Sequence, residues 1–222
     1  MTTEFKLIIF DCDGTLVDSL DGIVRSAQLA IDGLGYKRTL ANSEVAQVVG
    51  LSLYQAFEQI LPDAGPDEIE RGVGLYKSHY KELADGGAFT TTLYPGVREA
   101  LLKLQSVGMI MAVATGKSLR GLQRNLEELD FGEFFVCLKT ADHAPSKPNP
   151  EMLLQVLAET GFEAHEALMV GDTDFDINMG RAAKIKTCAV TFGCHSRERL
   201  AICQPDYWLD SMSDLPVLLG IK

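Results

Sequence analysis

Five short apolar runs punctuate this chain: FKLIIF (5–10), MIMAVAT (109–115), FFVCLK (134–139), ALMVGD (167–172) and TCAVTF (187–192), with a weaker sixth, DYWL (206–209). Helix-like segments stand between the later ones, over 96–107, 118–129, 150–160 and 175–183. Short strands that are apolar throughout are buried on both faces, and intervening helices supply the cover. The alternation therefore constrains the chain to an α/β fold built on a doubly wound parallel sheet. Ligands of such sheets gather beyond the carboxyl ends of the strands. One region departs from the pattern. Between Val17 and about Gly87 there is no convincing strand, only amphipathic segments at 19–34, 41–49, 51–61 and 66–84. Roughly seventy helical residues after the first strand read as an inserted helical unit. The expected division is a core of residues 1–15 and 88–222 with a helical cap over 16–87, re-entered through the Gly/Thr/Pro-rich GGAFTTTLYPG (86–96).

At 222 residues the chain is long enough for one core and a small insertion. A net charge of −11 argues against nucleic acid as a partner, since that needs a basic face. No apolar run approaches the roughly 18 residues of a membrane span, so no membrane partner is expected. The N-terminus MTTEFKLIIF carries neither a basic leader nor a small-residue cleavage site. The five cysteines are odd in number and scattered, which fits reduced thiols and a cytoplasmic setting better than disulfides. Cys194 and His195 have no second Cys/His pair at zinc-site spacing.

Four stretches end or closely follow strands: Asp11-Cys12-Asp13-Gly14-Thr15, Thr115-Gly116-Lys117, Lys147 between prolines, and Gly171-Asp172 with Asp174 and Asp176. A parallel sheet brings all four to one edge. Two acids one residue apart at the end of a buried strand repel each other and resist burial, so a positive partner is required. The assembled set suits phosphoryl transfer. Mg²⁺ takes oxygen ligands, typically one or two carboxylates with water and a phosphate oxygen. A carboxylate can attack phosphorus once a cation and a lysine screen its charge. A second carboxyl can protonate the leaving oxygen and later activate water.

On these motifs and their order, nearly the whole chain resembles the haloacid dehalogenase superfamily, in particular its phosphatases with a helical cap after the first strand and a Rossmann-like core. DCDGTLVDS matches the first motif of that superfamily, Thr115 the second, Lys147 the third and GDTDFD the fourth. The resemblance implies that Asp11 is the nucleophile and a direct Mg²⁺ ligand. It makes Asp13 the general acid/base, with its backbone carbonyl on the metal. Thr115 and the following amide of Gly116 would hold the phosphoryl oxygens, and Lys147 would neutralise nucleophile and phosphate. Asp172 would be the second carboxylate ligand, and Asp176 would bind through water or orient Lys147. Gly14 is expected at the substrate as well, and Gly50 and Ser52 are the expected substrate contacts from the cap. The implied activity is that of a phosphoglycolate phosphatase-like enzyme acting on a small phosphorylated metabolite, as monomer or homodimer. Two alternatives are a β-phosphoglucomutase-like sugar-phosphate mutase and a non-catalytic binding protein of the same fold. Mutases of this kind carry a histidine and an arginine where this chain has Ile23 and Leu53. The intact set of Asp11, Asp13, Lys147 and Asp172 argues against the binding protein.

Several neighbours read as structural. Asp18 or Ser19 is expected to N-cap the first cap helix. Lys117, at a helix start, is expected to face solvent. Cys12 reads as a packing residue, because adjacent carboxylates disfavour its thiolate. Asp174 is an acid the motif does not require.

Overall fold

β1 (Leu7–Phe10) is wholly buried and lies at the middle of the sheet. The computed structural model describes residues 5–221, so the leader-free reading of residues 1–4 lies outside the described residues. β4 (Ile110–Thr115) and β6 (Ala167–Gly171) flank β1 in parallel, with Leu7 opposite Ile110 on one side and Ala167 on the other. β5 (Cys137–Thr140), β7 (Lys186–Val190) and β8 (Tyr207–Leu209) complete a six-stranded parallel sheet in the order β5-β4-β1-β6-β7-β8. The order reverses at β1, so the crevice beside its carboxyl end is where such a sheet binds ligands.

The pleat sends alternate residues of β1 into two cores. Ile8 and Phe10 pack with α5 (Val97–Ser106) and α6 (Leu119–Glu128) through Leu101, Leu104 and Leu122. Leu7 and Ile9 pack with α7 (Glu151–Thr160) and α8 (Asp174–Ala182) through Met152, Val156 and Met179. The short α9 (Arg197–Ile202) and α10 (Leu215–Leu218) close the C-terminal part. Punctuation follows composition. Ser118 Oγ accepts the Gly121 amide at the start of α6, and Gly161 ends α7 in the left-handed conformation, φ 76°.

The inserted segment holds α1 (Leu20–Leu34), α2 (Asn42–Ala46), α3 (Leu53–Ile60) and α4 (Pro66–Asp85). They bury a core of their own around Ile31, Val45, Phe57 and Ile69. The chain leaves and rejoins the sheet through a feature the sequence does not announce, an antiparallel ribbon of β2 (Val17–Asp18) with β3 (Thr92–Leu93). The segment expected as helix over 41–49 is helical only over Asn42–Ala46, because the chain turns at 47–50 to cross the sheet edge. Among the described residues no helix is long and apolar enough to cross a membrane.

Candidate active site

The four stretches meet at the carboxyl edge of β1, β4 and β6. Asp11, directly after β1, is fully buried, as are Lys147, Asp172 and Asp176. Oxygens of Asp11, Asp172 and Asp176 lie within 4.8 Å of one another. Lys147 Nζ stands between two of the acids, 2.8 Å from Asp11 Oδ1 and 2.7 Å from Asp176 Oδ1. Besides this ion pair, neither buried oxygen of Asp11 has a hydrogen-bond donor. Burial, reinforced by Asp176 and Asp172 and opposed by Lys147, pushes the Asp11 carboxyl up to about 8. Burial works against the Lys147 charge, yet Asp11 and Asp176 outweigh it and hold the ammonium above its usual range.

Asp172 is held by two residues to which the sequence assigns no site role. Thr15 Oγ1 donates to its Oδ1 at 2.8 Å and the Cys194 amide to its Oδ2 at 2.7 Å. Burial and Asp176 push its carboxyl up to about 6 against these two donors. Gly14 and Gly193 make room for it, since a Cβ on either would collide with the Asp172 carboxylate. The Gly14 amide itself donates to the Val17 carbonyl at 2.9 Å, so Gly14 has no free donor for a phosphate. That corrects its expected place at the substrate: φ of +82° and the close approach to Asp172 are what require glycine there.

Asp176 is both a helix-start residue and a site residue. Its Oδ2 accepts the Thr173 amide at 3.0 Å and the Thr173 hydroxyl at 2.6 Å, a capping box that fixes the carboxylate at the N-terminus of α8. Its other oxygen faces Lys147. Asp174 turns away, bidentate to Arg199 at 2.9 and 3.1 Å. Although burial opposes it, hydrogen bonds and charge from neighbouring side chains, the bidentate Arg199 among them, hold the Asp174 carboxyl down at about 2.

Asp13 stands apart from the acidic cluster. Lys117 Nζ reaches both of its oxygens, at 2.8 and 2.9 Å, and Ser19 Oγ donates to Oδ1. Two expectations change here. Ser19 occupies the position before α1 but makes no capping hydrogen bond, because its hydroxyl is committed to Asp13. Lys117 does not face solvent; its side chain is 12% exposed and turned inward. Burial disfavours its charge, but Asp13 outweighs that and holds the ammonium above its usual range. Neither partner is visible in sequence, where Ser19 and Lys117 lie 6 and 104 residues from Asp13. The Cys12 thiol packs in the core, and burial, then Asp13, pushes it well up.

Thr115 ends β4, buried, and with Gly116 lines a cavity of about 950 Å³ between the sheet edge and the inserted helices. Asp11, Asp13, Gly50 and Ser52 line it too, as do the apolar Ile23 and Leu53. The turn after α2 lies directly on the sheet edge: a Cβ on Gly116 would strike the carbonyls of Gly50 and Leu51. The Ser52 amide donates to Ser146 Oγ at 2.7 Å, while its hydroxyl accepts the Gln55 amide at the start of α3. His195, buried, completes the seam. Its Nδ1 accepts the Asp174 amide at 3.1 Å, and its Nε2 lies 3.3 Å from the Gln47 carbonyl, to which Nε2–H donates in that tautomer.

The donor set fits a divalent cation. Four carboxylates against two ammoniums leave two negative charges at the site when all are ionised. The two oxygens of Asp11, which have the Lys147 ion pair beside them and no other donor, are the hard donors such an ion takes.

Comparison with known proteins bears on the family and the fold. The family model described as haloacid dehalogenase-like hydrolase matches residues 8–190. A phosphoglycolate phosphatase of Vibrio parahaemolyticus is 32% identical over 99% of this chain and 98% of its own length. A pyrophosphatase, PpaX, of Bacillus pumilus is 32% identical over 98% of each chain. The crystal structure of "a predicted phosphoglycolate phosphatase" from Haemophilus somnus superposes with a TM-score of 0.88 at 25% identity, covering 97% of this chain and 98% of the other.

Proposed function

This chain belongs to the haloacid dehalogenase-like hydrolase family and is a phosphatase; from that premise we propose that it is Mg²⁺-dependent and cleaves a small phosphomonoester through an aspartyl phosphate on Asp11. The reading rests above all on one observation: Asp11 is buried at the end of β1 with neither oxygen hydrogen-bonded, beside the buried Lys147. An acid kept in that condition has oxygens available to a cation and to phosphorus.

In the first half-reaction an Asp11 oxygen attacks phosphorus while the ester oxygen departs with its bonding electrons and takes a proton from Asp13. In the second, Asp13 removes a proton from water, the water oxygen attacks the same phosphorus, and the Asp11 carboxylate is restored as phosphate leaves. Thr115 and the Gly116 amide hold phosphoryl oxygens, and Lys147 balances the charge of Asp11 and phosphate. Asp11, Asp172 and the Asp13 carbonyl would hold Mg²⁺, with Asp176 acting through water and through Lys147. The bound ion supplies charge screening and orientation of the phosphoryl group. The core comprises residues 1–15 and 88–222, and 16–87 form a cap whose closure excludes water. The relatives named for phosphoglycolate and pyrophosphate make those two the first substrates to try. Unpaired cysteines fit a cytoplasmic setting.

The test is phosphate release from phosphoglycolate, pyrophosphate, sugar phosphates and nucleotides, with Mg²⁺, with chelator, and in Asp11→Asn. Release that requires metal and disappears in the variant is expected. Release that persists in folded Asp11→Asn would exclude Asp11 as nucleophile.

A further inference from the structure

His195 belongs to a Cys/His pair that no zinc site claims, and the mechanism above gives it no part. It is 3% exposed and does not line the cavity, so it meets no substrate there. Yet it joins two parts of the molecule. Its Nδ1 accepts the Asp174 amide at 3.1 Å, at the start of α8, and must be unprotonated to do so. Asp174 Oδ1, 3.2 Å from the same nitrogen, is engaged by Arg199. The neutral ring then carries its proton on Nε2, 3.3 Å from the Gln47 carbonyl in the turn after α2. The stretch that bears His195 also holds an acid of the site. Immediately before it, the Cys194 amide donates to Asp172 Oδ2 at 2.7 Å, and a Cβ on Gly193 would strike the Asp172 side chain. The turn after α2 meets the acidic loop at two further points. A Cβ on Gly50 would come to 3.1 Å from Thr173 Oγ1, and Phe175 packs both on the apolar core of the inserted helices and edge-on to His195, at 5.5 Å between centroids. Thr173 bonds Asp176, Phe175 precedes it, and His195 follows the Asp172 donor, so the turn rests on the supports of both acids.

Resting on the Mg²⁺-dependent reading above, we propose that His195 is a positioning residue that couples seating of the inserted helices on the sheet edge to ordering of the cation site. Asp172 and Asp176, once held in one arrangement on a cation, fix the Cys194 amide and the start of α8. Those are the two elements that aim the His195 ring at Gln47. In the other direction, a turn that lifts takes away the acceptor of Nε2 and frees the stretch that orients Asp172. The coupling is reciprocal: the factor by which a cation favours the seated turn is the factor by which the seated turn favours the cation. The cation site and the cover that excludes water are thereby assembled together, so neither is complete without the other.

The experiment reads the Ser52 amide, which donates to Ser146 Oγ across the seam and exchanges its hydrogen when the seam opens. Its exchange is followed by NMR in wild type, His195→Asn and His195→Gln, each in chelator and in saturating Mg²⁺, with Mg²⁺ affinity measured by calorimetry. The two variants divide the functions of the ring. The Asn side-chain oxygen takes the place of Nδ1 and still accepts the Asp174 amide, but nothing reaches Gln47. The Gln side-chain nitrogen takes the place of Nε2 and still donates to Gln47. Mg²⁺ should slow Ser52 exchange about fivefold or more in wild type, the lower end of common coupling factors. H195Q should keep most of that slowing, and H195N should reduce it to less than about twofold. Equal loss in both variants would make His195 a packing residue and overturn the assignment. Wild-type exchange that ignores Mg²⁺, or a folded H195N that keeps the slowing, overturns the coupling while leaving the phosphatase intact. The wild-type comparison needs no variant, so it stands even if H195N fails to fold. A wild type that binds no Mg²⁺ overturns the Mg²⁺ reading itself.

Discussion

Asp13 receives Ser19 Oγ and the Lys117 ammonium on one carboxylate, so its direction is fixed before any substrate arrives. Ser19→Ala removes only the hydroxyl donor. A hydrogen bond to a charged acceptor is worth roughly 1.5–3 kcal/mol, so kcat should fall about tenfold, with KM nearly unchanged because Ser19 acts through Asp13. Steady-state kinetics on the best substrate checks this, and an unchanged kcat would remove Ser19 from the mechanism. Gly14→Ala tests the opposite side of the site. A left-handed φ costs a non-glycine residue about 1–2 kcal/mol, and the new Cβ would collide with Asp172. Mg²⁺ affinity by calorimetry should drop at least about tenfold, the scale of disturbing a residue that supports a metal ligand; wild-type affinity would show that Asp172 has room to move. At this scale the sequence is legible where chemistry is unusual. Acids abutting a buried strand have few other uses, and Lys147 is fixed by its motif. Ser19, Thr15, Lys117 and Cys194 are ordinary residue types, and only the fold carries them to Asp13 and Asp172.

Strands and helices with long apolar periods could be read directly. β4 and β6 fall within one residue of their expected ends, and α5 to α8 within one residue of theirs. The β2–β3 ribbon could not, since two residues per strand carry no period to detect. The shortening of α2 was equally hidden, because tertiary contact decides it: the turn after α2 must lie against Gly116. That contact is between elements, and a substitution there should behave accordingly. In Gly116→Ala the added Cβ meets the Gly50 and Leu51 carbonyls, atoms of the inserted helical segment and not of the sheet. Relief comes by lifting the cap turn, which also strains the Ser52–Ser146 hydrogen bond and the His195–Gln47 contact. We expect kcat/KM to fall by about a hundredfold, as misplacement of a closing element does. The melting temperature should stay within a few degrees, since the sheet core is untouched. A large loss of thermal stability with normal kcat/KM in the remaining folded fraction would show that Gly116 serves the core and not closure.

Across the whole molecule the acids are divided by what they do to stability. Asp85, Asp174, Asp206 and Asp210 lie below the usual carboxyl range, held there chiefly by hydrogen bonds and lysine or arginine neighbours against burial. A depressed carboxyl stabilises the fold above its unfolded value and loses that contribution only as pH falls through the folded one, so these acids are fully effective by about pH 5. Asp11 and Asp172 run the other way. Burial raises them from 3.8 to about 8 and about 6, so the folded protein keeps protons that the unfolded chain has released. Their contribution is present below about pH 4 and is lost as pH rises, through about 6 for Asp172 and about 8 for Asp11. In chelator, therefore, the melting temperature should decline between pH 5.5 and 8, roughly the window that separates the two sets of acids. In Asp11→Asn the upper part of that decline, from about pH 6 to 8, should disappear, because the amide does not titrate. On the proposed reading Mg²⁺ binds the ionised carboxylates of the folded state, so its stabilisation should be negligible near pH 4.5 and reach several degrees at pH 8. Thermal unfolding of wild type and Asp11→Asn across this range, with chelator and with Mg²⁺, decides the matter. A flat wild-type curve in chelator would mean that Asp11 is already ionised without metal, and that Lys147 alone is enough to hold its charge in the sheet edge.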